Sequence, residues 1–371
     1  MIRTAGRATS SVGVASTCVL LASVLWGTTG TAATFAPGVG PLAVGAVAMG
    51  LGGLLQALLA ARSIRREAPL LHAQRGVVLL GALAVAAYPP AFYSSMHLAG
   101  VTTGTVVSIG SAPLASALIE RVVDGHRLTS RWIMGAVLGL SGTVLLCVAE
   151  ATAGAHSGPG ARSAGSTVLG VALGLTAGLT YALYSWAAHR LIGRGLTSGA
   201  AMGTVFGIGG LLLVPVLLAT GAPLLDSWSA AAVGAYMALV PMFLGYVLFG
   251  WGLARVRAST ATTLTLLEPA VAAVLAVLVV GERLPRAGWA GVALIVGCLA
   301  VLTVPSRSAA GRRAADPRRP LPPVDEDSDV DEHVEEHVDR HLGQRVDAVV
   351  DLDVPGPGPA PAGERVRAEG H

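Results

Sequence analysis

The chain has 371 residues, 53% of them hydrophobic and only 13% charged, with a formal charge of +3 and a mean hydropathy of +0.65. The mild net charge hides a partition: through Val304 there are 16 Arg against seven acids (+9), and from Pro305 onward nine Arg against fifteen acids (−6). This combination excludes a single soluble globular domain and predicts an apolar membrane domain followed by a polar tail.

At about 20 apolar residues per crossing of a bilayer core of roughly 30 Å, ten spans are predicted, at 12–33, 38–60, 76–97, 101–119, 131–150, 166–189, 197–219, 228–250, 257–280 and 286–304. Arg3 and Arg7 before an apolar stretch give residues 1–27 the outline of a signal peptide, but nine further spans follow at once, so an uncleaved first helix is expected. Span one carries Trp26 in its interior, in Leu25-Trp26-Gly27. Span three is interrupted by Pro89-Pro90, flanked by Tyr88, Phe92 and Tyr93. In span four Pro113 follows Ser111, and Gly125-His126-Arg127-Leu128 comes after it. Small-residue ladders mark span five (Gly135, Gly139), span six (Gly170, Gly174, Gly178) and span seven (Gly199, Gly203, Gly207). Such faces allow close helix approach in lipid, either within one chain or between two copies, so a homodimer is one reading. Span six also holds Tyr181, Tyr184 and Trp186, and span eight ends with Tyr246 and Trp251. Trp132, Trp228, Trp251 and Trp289 lie near span ends, where aromatics anchor helices at the interface. Cys18, Cys147 and Cys298 lie in apolar runs with no metal or disulfide spacing, and are read as small core residues.

Residues 103–145 and 259–301 correspond at a constant offset of 156, pairing Pro113 with Pro269, Gly125 with Gly281, Arg127 with Arg283, Leu128 with Leu284 and Gly135 with Gly291. The chain is therefore built from two five-span halves, 12–150 and 166–304, between a short N-terminus (1–11), an outer linker (151–165) and the tail (305–371). With the N-terminus inside, thirteen Arg fall in inner segments and three, Arg162, Arg283 and Arg286, in outer ones. Both termini are thus expected in the cytoplasm. Five is odd, so the second half crosses in the opposite sense: an inverted repeat, the sequence sign of a secondary transporter.

The Leu-Trp-Gly of span one, the Pro-containing spans four and nine, the Gly-Glu-Arg-Leu segment 281–284 and the Gly-rich span after it resemble the EamA-like members of the drug/metabolite transporter superfamily, over about residues 15–304. The resemblance implies an all-α ten-helix 5+5 inverted-repeat carrier in the plasma membrane of a bacterium, moving small metabolites or drugs by alternating access, often outward. His126 departs from the pattern, which has Glu there, so a shared role for the two loop acids is not expected.

Glu268 is the ionisable residue nearest the middle of a span. A charge there costs about 2.5–3.5 kcal/mol on insertion scales, so it should face a cavity or be protonated. It is the candidate proton-coupling or substrate group, or else a neutral acid bonded to a neighbouring helix. Pro269 removes the N–H that would satisfy the Thr265 carbonyl, and Pro113 does the same to Ile109, giving two helix breaks that either line a path or only kink the helix. Trp26, Tyr93, Ser111, Tyr181, Tyr184 and Thr265 complete the candidate cavity wall for an organic substrate.

The tail, rich in Pro, Arg, Asp and Glu, is expected to be disordered. Its His333-Val334-Glu335-Glu336-His337 matches an inverted zinc-peptidase pattern, but a charged tail offers neither scaffold nor shielded pocket, so no metal site is expected. No cofactor, enzymatic activity or nucleic-acid partner is expected either; the expected partners are a small-molecule substrate and membrane lipid. The alternative is a membrane-anchored sensor or scaffold acting through the His- and acid-rich tail.

Overall fold

A computed structural model describes residues 2–154, 164–281 and 284–303. The expectations for the tail, its His cluster, the linker at 155–163, and Glu282 and Arg283 lie outside the described residues. Ten long helices follow in series among the described residues: α1 (Ile2–Gly27), α2 (Pro41–Leu59), α3 (Arg75–Ala99), α4 (Val101–Val123), α5 (Ser130–Gly154), α6 (Ala164–Gly193), α7 (Ser198–Thr220), α8 (Trp228–Leu253), α9 (Ala258–Val279) and α10 (Arg286–Thr303), with short helical turns at Thr29–Ala33, Ala61–Arg66 and Ala68–Ala73. Among the described residues there is no strand, and nine helices are long and apolar enough to cross a membrane; Ser130–Leu146, within α5, is a shorter apolar helix. Helices are what such sequence must form in lipid, where each backbone N–H and C=O has to be satisfied within the segment. Leu58, Leu118 and Leu218 point outward, as lipid-facing side chains do.

The connections carry the chemistry of their ends. Gly125 (φ 67°) and Gly281 (φ 82°) both take the left-handed conformation that side chains other than glycine resist, which is why the two matched loops each begin with glycine. Thr197 caps α7 through Ala200 N–H (3.2 Å), and Ser227 caps α8 through Ala230 N–H (3.1 Å).

Packing follows the duplication. α3 lies on α6 as α8 lies on α1; α4 lies on α6 as α9 lies on α1; α7 lies on α3 as α2 lies on α8. The pairs α2 with α7, α4 with α9 and α5 with α10 map onto themselves when the halves are exchanged. The glycine ladders are spent within the chain. Gly170 faces Ala99, Gly174 faces Ser95 and Val107, Gly203 faces Ala60, Gly207 faces Ala57, and Gly139 faces Leu266 and Cys298. Among the end tryptophans, Trp228, Trp251 and Trp289 are exposed as anchors would be. Trp132 differs: it is buried and donates its indole N–H to the Ser259 carbonyl (3.3 Å), because α9 starts directly beside it.

Candidate functional site

The site begins with a break in α9. Its first segment ends at Leu264, Thr265 and Leu266 form a turn, and a second segment starts at Leu267 and passes into π-helix at Ala276–Val280. Pro269 has no N–H to offer residue 265, yet the Thr265 carbonyl is not left open: the Glu268 N–H reaches back to it (3.0 Å) in a tighter three-residue turn, as Leu266 N–H does to Thr263 (3.2 Å). The expectation of a freed Thr265 carbonyl is corrected on this point. The break instead swings Glu268 into the first turn of the second segment, where it lines a cavity. α4 runs unbroken through Pro113, so the two matched prolines do different things.

The cavity, about 50 Å³, is bounded by Trp26 at the end of α1 and Thr29 just beyond it, by Gly45, Ala48 and Met49 of α2, and by Tyr88, Pro89, Phe92 and Tyr93 of α3. Tyr181 of α6, Met242 and Tyr246 of α8, and Glu268 complete it. At about 10–15 Å³ of such space per water, it has room for about three to five waters. An organic molecule of any size requires the helices to part.

Most of the wall is fixed from behind. Trp26 donates its indole N–H to the Pro241 carbonyl (2.8 Å), inside the π-helical stretch Ala238–Leu244 of α8. Tyr181 O–H donates to Thr265 Oγ1 (3.0 Å), which itself donates to the Thr262 carbonyl (2.8 Å). Tyr184 and Tyr246 share a hydroxyl–hydroxyl bond (2.8 Å). The rings touch in succession: Tyr93–Phe92 at 5.2 Å, Phe92–Tyr88 at 5.5 Å, Tyr88–Tyr181 at 5.8 Å, Tyr181–Trp26 at 6.5 Å and Trp26–Tyr246 at 4.8 Å between centroids. Glu268 is the single acid among the lining residues, which include no Arg and no His.

Of the candidates read from sequence, Trp26, Tyr93, Tyr181 and Glu268 stand on the wall together. Three do not. Tyr184 and Thr265 are buried one layer behind it, as the partners that hold Tyr246 and Tyr181, and Ser111 faces the glycine stripe of α6 at Gly178 and bonds the Ser108 carbonyl (3.3 Å). Tyr88, Phe92 and Tyr246 carried a signal, as aromatics beside Pro89-Pro90 and in span eight. Gly45, Ala48 and Met49 carried none, since α2 is apolar on every side.

At the end of the bundle where α4 and α6 finish and α9 begins, ionised groups tie the helices. Glu120 is buried and accepts from both the N–H (2.9 Å) and the hydroxyl (2.6 Å) of Ser259 at the start of α9. Asp124 pairs with Arg190 and accepts from Trp186 Nε1 (2.8 Å), and the Arg190 guanidinium lies over the Trp186 ring (5.1 Å). At the opposite end the ties are neutral among the described residues: Thr28 to Tyr236 (2.7 Å), between hydroxyls, and the Ser229 hydroxyl donating to the Phe35 carbonyl (2.6 Å).

The model of the EamA-like transporter family matches residues 14–148 and 168–304, one copy per half. The chain is 33% identical over 298 residues to a Bacillus subtilis (strain 168) protein named "Uncharacterized transporter YwfM", covering 80% of this chain and 96% of that one. It is 30% identical over 250 residues to the "Probable terminal-alkyne amino-acid exporter" of Streptantibioticus cattleyicolor, covering 64% of this chain and 75% of that one. A solved crystal structure superposes with a TM-score of 0.64 at 22% identity, over 81% of this chain and 98% of its own, a likeness of fold.

Proposed function

We infer function from kinship and from the cavity: the chain belongs to the EamA-like transporter family and is a multi-pass membrane transporter. Within that frame we propose a secondary active exporter of a small organic metabolite, working by alternating access and driven by protons. Its two five-helix halves would rock about the cavity, in the plasma membrane of a bacterium, with both termini in the cytoplasm. The observation that carries the proposal is Glu268, an acid at mid-span that lines the cavity at the break of α9 with no basic residue on the wall. A carboxyl group so placed is neutral when it holds a proton and needs a compensating partner when it does not. Binding and release of that proton therefore bias the surrounding helices between two arrangements, which is the requirement of a coupled carrier. The neutral Thr28–Tyr236 and Ser229–Phe35 ties are the weaker closure, so the cavity is expected to open at that end first.

The test is flux of a metabolite library in proteoliposomes, with and without an imposed pH gradient. Wild type is expected to move at least one compound in a gradient-dependent way, and Glu268→Gln to lose the gradient dependence while keeping its folded elution profile. Equal gradient-driven flux in the mutant would remove this acid from the mechanism. Charge-selective cysteine labelling near residue 60 and residue 36 from either side of the membrane fixes the orientation.

A further inference from the structure

On the reading just given, the composition of the wall also restricts what the cavity accepts. A single carboxyl group, the rings of Trp26, Tyr88, Phe92, Tyr93, Tyr181 and Tyr246, and no Arg or His give it an electronegative wall, completed by apolar residues. We propose that the cavity is a site for an organic ammonium ion, whose positive head is held by Glu268 and by the surrounding aromatic rings.

Three features carry this. First, aromatic faces attract cations through the ring quadrupole, and here the rings form a continuous belt rather than scattered contacts, with centroids 4.8–6.5 Å apart from Tyr93 round to Tyr246. Second, the belt is built in advance. Tyr181 is anchored on Thr265, Tyr246 on Tyr184 and Trp26 on the Pro241 carbonyl, so these rings do not have to be ordered when a ligand arrives. The hydroxyls of Tyr88 and Tyr93 carry no such tether among the described residues and remain to accept from an ammonium N–H. Third, an anionic ligand finds no basic partner on the wall, and a neutral one leaves an ionised Glu268 uncompensated, whereas an ammonium ion neutralises it.

The space suits a charged head: about 50 Å³ is enough for an ammonium group and its first carbon, and the body of the molecule has to enter as the helices part. A proton and an ammonium ion satisfy Glu268 in mutually exclusive ways, so the same atoms that bind the substrate release it on protonation. The other ionisable groups that face Glu268 are Tyr88 and Tyr93 on α3, Tyr181 on α6 and Tyr246 on α8; α1 and α2 contribute none to the wall.

The experiment is titration calorimetry of the full chain in detergent with three probes of one ring and similar length: phenethylamine, 2-phenylethanol and 3-phenylpropanoate. Saturable binding of phenethylamine is expected, with the alcohol and the acid at least about tenfold weaker, a gap of about 1.4 kcal/mol. Glu268→Gln is expected to weaken the amine by about tenfold or more, and Phe92→Leu, which spares the acid, by about two- to thirtyfold, the range of a cation–ring contact. Equal or better binding of the alcohol or the acid overturns the proposal. So do the absence of saturable binding by phenethylamine, and full amine affinity in a folded Glu268→Gln protein. Should Glu268→Gln not fold, Phe92→Leu with the three probes decides alone. Failure of the carrier reading is separable: amine selectivity without gradient-driven flux keeps the ammonium site and removes proton coupling, while gradient-driven flux confined to neutral or anionic compounds does the reverse.

Discussion

At the scale of single residues, Leu25-Trp26-Gly27 places two requirements side by side. A methyl group on Gly27 would lie 2.7 Å from Val271 Cβ and 2.9 Å from the Glu268 carbonyl oxygen, so the glycine lets α1 press against α9 at the level of the acid. Gly27→Val forces those helices apart. It is expected to cost about 1–3 kcal/mol, read as a lower melting temperature in detergent, and to remove gradient-driven flux because Glu268 loses its setting. Trp26→Phe keeps an aromatic ring and removes the 2.8 Å bond from the indole N–H to the Pro241 carbonyl, in a helix that has already lost a hydrogen bond to proline. A loss of about 0.5–1.5 kcal/mol is expected for that bond, and wild-type stability in Trp26→Phe would mean that water from the cavity takes over the bond. The same residues mark how far sequence reading reaches. Glu268 was legible because a charge at mid-span is expensive, and Trp26, Tyr93 and Tyr181 because aromatics are scarce and these lie deep. Ser111, Tyr184 and Thr265 were legible as polar or aromatic but not as lying behind the wall, since which face of a helix meets a cavity depends on neighbours from the other half. The α2 residues Gly45 and Met49 were invisible for a simpler reason: in a helix that is apolar all round, no periodicity separates the cavity face from the lipid face.

At the scale of elements, the duplicated prolines part company. Pro113 sits in a helix that continues through it, whereas Pro269 sits just after a turn in which Glu268 N–H has taken over the Thr265 carbonyl. Sequence shows the missing donor in both halves, but not which backbone group will move to fill the gap, because that is settled by the packing around each helix. Pro269→Ala returns an N–H that competes for Thr265 and draws the two segments of α9 into line. The melting temperature is expected to hold or rise, while gradient-driven flux falls by about tenfold or more, which corresponds to about 1.4 kcal/mol lost at the site. Pro113→Ala is the matched comparison. It is expected to leave flux within a factor of about two, below 0.5 kcal/mol, because Ser111 and its turn face α6 and not the cavity. Loss of flux in both variants to the same degree would mean that the two breaks act as a symmetric pair after all.

At the scale of the whole molecule, the exchange symmetry of the packing is not matched by the ties at its two ends. One end is held by charged side chains, Glu120 on Ser259 and Asp124 on Arg190 and Trp186; the other is held by neutral bonds, between the Thr28 and Tyr236 hydroxyls and from Ser229 to the Phe35 carbonyl. Hydrogen bonds to charged groups contribute about 1.5–3 kcal/mol each, against about 0.5–1.5 for neutral ones. The arrangement closed at the Glu120 end is therefore favoured, and a carrier that must expose its cavity on both sides has to break those bonds once per cycle. Glu120→Ala leaves the start of α9 without its acceptor and removes a tie worth about one to two powers of ten in population. Ala261 is fully buried one turn into α9, between Ser259 and the break at Thr265, and is placed to report an opening at that end. With Cys18, Cys147 and Cys298 replaced, Ala261→Cys is expected to react slowly with a maleimide, and about tenfold or more faster once Glu120→Ala is added. The rate at a cysteine placed in the Thr28–Tyr236 end should fall in the same protein, because opening at one end draws population from the other. Faster labelling at both ends would indicate general loosening rather than alternation, and unchanged labelling at Ala261→Cys would place the gate elsewhere in the bundle.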